Sequence, residues 1–304
     1  MAALLKTRRL LRVSDEVELP VLEAAGTGAG RRLVVTAGVH GDEYEGVRAL
    51  YELFEEIEEL RGTLTLAPVV NPQAHRAVSR TNPLDGENLA RVFPGSAESS
   101  ISRQIASVVT RELIEGASVY IDLHSGGVRY AMPSMVGYWL GDARARDAAM
   151  AFGAPVVWGH PVIEPGRTIS VAKERGIPFL YVEALGAGRI RGEDLRMMKR
   201  GVVNVMRHLG MMDGAVEVPA PPLRLTGVGN TDDGISAAYD GFLILEVALL
   251  DSVDAGVRLG KLVDLQGVTV EEYYAPRAGV VALTHEMPIV TKGDTLFLLA
   301  DIER

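Results

Sequence analysis

Three apolar runs in this chain stop on a side chain that can bind a metal or a proton, with a glycine close behind each. Leu33-Val34-Val35-Thr36-Ala37-Gly38-Val39 runs into His40-Gly41-Asp42-Glu43. Ser118-Val119-Tyr120-Ile121-Asp122-Leu123 runs into His124-Ser125-Gly126, and Pro178-Phe179-Leu180-Tyr181-Val182 runs into Glu183. Short apolar runs of this kind read as buried strands. In open α/β sheets, ligand sites gather outside the carboxyl ends of the strands. The pattern therefore calls for a sheet whose strand ends converge on one site. A His and a Glu three apart can offer an imidazole nitrogen and a carboxylate to one cation. Two His and one carboxylate with an open fourth position is the ligand set of catalytic zinc. Any one of these residues alone reads as an ordinary core or turn residue, and the convergence is what carries the metal reading.

Composition narrows the partners. A net charge of −9 opposes nucleic acid as the main partner, because phosphate binding needs a basic surface. No apolar stretch reaches the roughly 18 residues of a membrane-spanning helix. The first residues carry too short an apolar core for a signal peptide, with the basic residues on the wrong side of it. The chain has no Cys, so disulfides and thiolate ligands are excluded and zinc would rest on His and carboxylates. A cytoplasmic enzyme is the expectation, and whether copies associate stays open.

Along the chain, the spacing predicts helices over 43–60, 99–114, 144–152 and 193–209, with Gly62 and Gly210 stopping the first and last. Strands are expected around 33–39, 63–70, 118–123 and 178–182. The Gly-rich stretch 26–30 precedes a strand instead of opening a helix, so it is read as a turn and not as a phosphate loop. Residues 76–98 read as a long loop, of the kind that is usually functional. Val218-Pro219-Ala220-Pro221-Pro222 is the natural linker, which divides the chain into residues 1–217 and a β-rich segment 218–304. Two echoing stretches in the second part, 257–264 with 290–296 and 238–243 with 275–281, suggest a small pseudo-symmetric barrel or sandwich. It lacks the lysine turn of a prosthetic-group carrier.

Assembled in order, His40-Gly-Asp-Glu43, Asn71-Pro72, Arg80, Asp85-Gly-Glu-Asn88-Leu-Ala-Arg91-Val-Phe-Pro-Gly95, Asp122-Leu-His124-Ser125 and Glu183 resemble the succinylglutamate desuccinylase/aspartoacylase family, within the zinc carboxypeptidase-like superfamily. The resemblance implies a three-layer α/β/α domain with a mixed sheet, followed by a small C-terminal β domain. It implies one zinc per chain on His40, Glu43 and His124, with water completing the set. Glu183 would be the general base that takes a proton from this water and passes it to the leaving amine. Arg80 would lean on the scissile carbonyl oxygen, and Arg91, with Asn88, would bind the substrate. The implied activity is removal of an N-acyl group from a small amino-acid-like metabolite. A carboxypeptidase acting on short peptides, or a metal binder without catalysis, are the alternatives. Asp122, two residues before His124, is a candidate partner for a ligand. One position departs from the family: Ala90 stands where an Asn usually precedes the Arg. Carboxylate recognition is therefore the least transferable property, and an acylated amine, a diamino acid or a modified metabolite fits as well as an aspartate- or glutamate-type substrate. The other four of the six His, His75, His160, His208 and His285, read as surface or packing residues, with His160 the one placed to line a cleft.

Overall fold

The computed structural model describes residues 4–303. Strands β1 (Leu5–Arg12) and β2 (Glu18–Ala25) form an antiparallel pair, followed directly by β3 (Thr27–Ala37). The Gly-rich stretch lies at the start of β3, and across it the chain reverses direction as the turn reading expects, since β2 and β3 run opposite ways along β4. The next strand, β4 (Arg61–Ala67), lies parallel to β3 and antiparallel to β2. A Cβ added to Gly30 would lie 2.7 Å from the Cα of Gly62, so the two backbones approach where only glycine fits. Gly62 therefore belongs to β4. Helix α1 (Glu45–Glu56) stops earlier, at Ile57, which turns extended while its N–H bonds the Leu53 carbonyl.

The rest of the sheet is built from β5 (Val119–Ser125), β6 (Tyr130–Ala131), β7 (Met135–Trp139), β8 (Val156–His160) and β9 (Phe179–Ala184). β3, β5 and β9 are neighbouring parallel strands, and β7 joins β9 antiparallel, which makes the sheet mixed. The register sets Thr36 opposite Asp122, and His124 opposite Glu183. The three sequence runs thus end side by side.

Helices cover both faces because successive strand residues point to opposite sides. Leu33, Val35, Ile121 and Leu123 pack in one cluster with α1, α4 (Ala143–Phe152) and α6 (Gly192–His208). Val34 and Tyr120 point the other way, toward α3 (Ile101–Val109) and α5 (Thr168–Glu174). This is the expected α/β/α layering. Two short helices escaped the periodicity, α5 and α2 (Pro72–Ala77). In α2 the Asn71 side chain accepts a hydrogen bond from the Ala74 N–H, and Pro72 occupies the first turn.

Beyond the linker, β10 (Leu223–Thr226) adds to the same sheet, parallel to β8. The later strands are β11 (Ile235–Ser236), β12 (Gly241–Leu245), β13 (Ser252–Val253), β14 (Arg258–Val263), β15 (Thr269–Tyr274), β16 (Gly279–His285), β17 (Ile289–Val290) and β18 (Thr295–Ile302). β18 pairs with β10 and carries β16 beside it, so the main sheet continues into the β-rich segment. A second antiparallel sheet, ordered β15-β14-β12-β17, shares a core with it through Leu243, Leu259, Leu262, Val281, Leu296 and Phe297. Among the described residues, no helix is long and apolar enough to cross a membrane.

Candidate active site

The turn after β3 buries His40 and Glu43, each only 3% exposed. Gly41 makes that turn possible: its N–H donates to the Ser79 carbonyl, and a Cβ there would sit 2.0 Å from the Ala74 carbonyl oxygen. Glu43 Oε1 lies 2.7 Å from His40 Nδ1, and Glu43 Oε2 lies 2.9 Å from His124 Nδ1. The far ring nitrogens face oxygens: His40 Nε2 is 3.1 Å from Asn88 Oδ1, and His124 Nε2 is 2.9 Å from Asp122 Oδ2. Those oxygens only accept, so they favour a proton on each Nε2, and a cation bound beside Glu43 would find the two Nδ1 atoms free to ligate it. One ligand atom from each of His40, Glu43 and His124 falls within 4.8 Å of the others. Two imidazole lone pairs and a carboxylate aimed at one point fit a divalent cation.

Without a cation, this group balances its charge internally. Burial would raise the Glu43 carboxyl, but His40 and His124 hold it well below its usual value. Burial pulls His124 down, yet Asp122 and Glu43 outweigh it and hold the imidazole well above its usual value. For His40, burial wins with help from the Arg80 charge, and its value falls.

Asp122 is the hub behind His124. It is 1% exposed and accepts from the Thr36 hydroxyl at 2.6 Å, from the Thr168 hydroxyl, and from His124 Nε2–H. The sequence spacing had offered it only as a candidate partner, and the strand register explains why it qualifies. Thr36 faces it from β3, and Thr168 reaches it from the first turn of α5. Such partners fix the tautomer and orientation of a ligating His.

Glu183 borders the same cleft, and its Oε2 is buried without a hydrogen-bond partner. Burial, opposed by His124 and reinforced by Glu43, pushes this carboxyl up to about 8. Arg80 also borders the cleft and donates to Glu43 Oε1 at 3.2 Å. The two residues expected on the substrate, Asn88 and Arg91, both have partners within the chain. Asn88 accepts from the Ala90 N–H at 2.9 Å, and its Oδ1 faces the His40 ring. Arg91 does reach the cleft, but Asp232 grips its guanidinium with contacts of 3.0 to 3.2 Å. Tyr274, whose hydroxyl donates to Glu272, lies outside the cleft lining.

Two further residues line the cleft, and of these Arg167 gave no functional signal in the sequence. Arg167 stands just before α5, donates to Asn230 at 2.8 Å, and has no carboxylate partner among the described residues. His160, at the end of β8, donates from Nδ1 to the Gly227 carbonyl at 3.0 Å and accepts from the Tyr181 hydroxyl. It was the His placed to line a cleft, and it does so; burial lowers it to about 4. The segment Val228-Gly229-Asn230-Thr231, beyond the linker, completes this wall.

Residues 29–209 match the family model of the succinylglutamate desuccinylase/aspartoacylase catalytic domain. The chain belongs to this family. It is 35% identical over 285 residues to the N-alpha-acetyl-L-2,4-diaminobutyric acid deacetylase of Halomonas elongata, spanning 90% of this chain and 83% of that protein. The fold of a succinylglutamate desuccinylase/aspartoacylase from Rhodobacter sphaeroides superposes with a TM-score of 0.88 at 27% identity, covering 100% of this chain and 97% of the other. The product-bound ectoine utilization protein EutE (DoeB) from Ruegeria pomeroyi gives 0.87 at 28% identity, covering 99% and 96%. As a desuccinylase/aspartoacylase family member, the chain is an amide-bond hydrolase of the deacylase type. The stretch carrying His40, Glu43, Arg80, His124 and Glu183 lies within the matched residues.

Proposed function

We propose that this protein is a zinc-dependent amidohydrolase that removes an N-acyl group from a small amino-acid-like metabolite. The observation that carries the reading is the pairing, in one cleft, of a His40/Glu43/His124 donor set with an unpartnered buried carboxylate, Glu183. Zinc bound there would lower the pKa of water to about 7 and polarise the substrate carbonyl. Glu183 accepts the proton of the attacking water at its free oxygen and returns it to the departing nitrogen, as general base and then general acid. Arg80 lies beside the ligands and faces the cleft, where its guanidinium stabilises negative charge growing on the carbonyl oxygen. Arg167 takes the substrate carboxylate, since a planar guanidinium binds it with two parallel hydrogen bonds and Asp232 already holds that of Arg91. Asp122 and Asn88 hold the two imidazoles in the ligating tautomer. Asparagine at position 90 would have stood beside Arg91; with Ala90, the carboxylate site shifts to Arg167.

The experiment is a metal analysis joined to a substrate screen. One zinc per chain, turnover of N-acyl amino acids in preference to dipeptides, and loss of that turnover on chelation or in Glu183→Gln support the reading. A folded His40→Ala variant with normal activity refutes it.

A further inference from the structure

The charges left over in the cleft describe a substrate. Four carboxylates and three guanidiniums border it. Glu43 and Asp122 are committed to the histidines, and Glu183 stands unpartnered at the reaction centre. Arg80 is on Glu43, and Arg91 is cancelled by Asp232, which sits in the short turn Thr231–Asp233. Two groups remain. Arg167 has no carboxylate partner, and Glu164, three residues earlier on the same loop, has no hydrogen bond or ion pair among the described residues. The two are close enough to feel each other, since Glu164 opposes the fall that burial and the Arg91 charge impose on Arg167.

We propose that Glu164 and Asp232 set substrate specificity: the cleft takes an N-acylated amino acid with one carboxylate, for Arg167, and one free ammonium group, for Glu164. Asp232 acts by withdrawal. By occupying Arg91 it removes the second cationic site that an N-acylated dicarboxylate would need, and the dicarboxylate then meets Glu164 as a like charge. A side chain ending in an ammonium group meets the opposite sign. This rests on the deacylase reading and adds the class of substrate to it.

The test compares Nα-acetyl-2,4-diaminobutyrate with Nα-acetyl-2-aminobutyrate, which lacks only the second amine, on the zinc-loaded protein. A charge-assisted hydrogen bond predicts a kcat/KM ratio of about 10 to 100 in favour of the diamino substrate. In Glu164→Gln the ratio falls toward one, through KM for the diamino substrate. In Asp232→Asn, Arg91 is released and kcat/KM for N-acetylglutamate relative to N-acetyl-2-aminobutyrate rises about tenfold or more. Calorimetric binding of free 2,4-diaminobutyrate against 2-aminobutyrate gives the same comparison without turnover, so a variant with damaged catalysis is still informative. A wild-type ratio near one, or a ratio that survives Glu164→Gln, overturns the specificity assignment and leaves the deacylase reading intact. Failure to hydrolyse any N-acyl amino acid overturns the deacylase reading, and calorimetry then decides on Glu164 alone.

Discussion

Replacing Asp122 by Ala separates orientation of a ligand from ligation itself. The carboxylate touches no cation position; it accepts from Thr36, Thr168 and His124 Nε2–H in a fully packed site. Its removal frees the imidazole to rotate and to place its proton on Nδ1, the nitrogen that faces Glu43. Loss of such a partner costs about 10- to 100-fold in metal affinity. That factor corresponds to about 1.4 to 2.7 kcal/mol. The metal-free protein suffers more, because two hydroxyls and an imidazole that is held protonated lose a buried anion together. Removal of one member of a buried charged pair costs about 3 to 5 kcal/mol, and the three hydrogen bonds are coupled, so their separate values do not add. Zinc affinity is read by competition with a chromophoric chelator, and stability by urea unfolding with and without chelator. Asp122→Asn keeps the shape and one acceptor for His124, and loses less of both. A folded Asp122→Ala variant that binds zinc within twofold of wild type would refute the orientation argument.

The other predictions address the base, the carboxylate site, the turn and the cleft wall. Glu183→Gln keeps its zinc while kcat falls about 10²- to 10⁴-fold, the usual range for a general base; retention of a tenth of the activity contradicts the assignment. Arg167→Ala lowers kcat/KM about 10- to 100-fold for an N-acyl amino acid. It has little effect on the corresponding carboxamide, and equal losses on both would remove Arg167 from carboxylate binding. Gly41→Ala forces a Cβ against the Ala74 carbonyl, so zinc content should drop although no ligand is changed; full metal content shows that the turn can shift without cost. His160, lowered to about 4, refuses a proton that the unfolded chain accepts near 6.5. Stability therefore falls as pH drops from 6.5 to 4, by up to about 3 kcal/mol from this group. His160→Gln should flatten that acid slope in urea unfolding at pH 7 and 4.5, and an unchanged slope would place the pH dependence elsewhere.

The sequence made the proposed ligand set legible because each of its residues ends or follows a strand, and strands announce themselves as apolar runs. His40, His124 and Glu183 needed no knowledge of pairing to be set at one end of the sheet. Glu43 followed from its spacing. Arg167 was invisible for the opposite reason: it lies in a Gly/Pro-rich loop before a helix of seven residues, too short to show a period. Asn88 and Arg91 were read for their residue types, but their partners come from distant chain. His40 lies 48 residues from Asn88, and Asp232 lies 141 residues from Arg91. The linker was legible as composition, yet composition carries no information on pairing. That β10 would insert between β8 and β18 depends on edge hydrogen bonds that local sequence does not encode.

The order of these parts along the chain has a consequence for biosynthesis. All three proposed ligands lie in the first 124 residues, on the turn after β3 and on β5, and the second neighbour of β5, strand β9, is finished by Ala184. The wall made by Val228-Gly229-Asn230-Thr231, and the Asp232 grip on Arg91, depend on a segment that emerges from the ribosome about a hundred residues later. Its anchor, β18 (Thr295–Ile302), follows later still. Metal loading and substrate selection are therefore separated in time: a nascent chain can present its cation site while the cleft that discriminates among acylated amines does not yet exist.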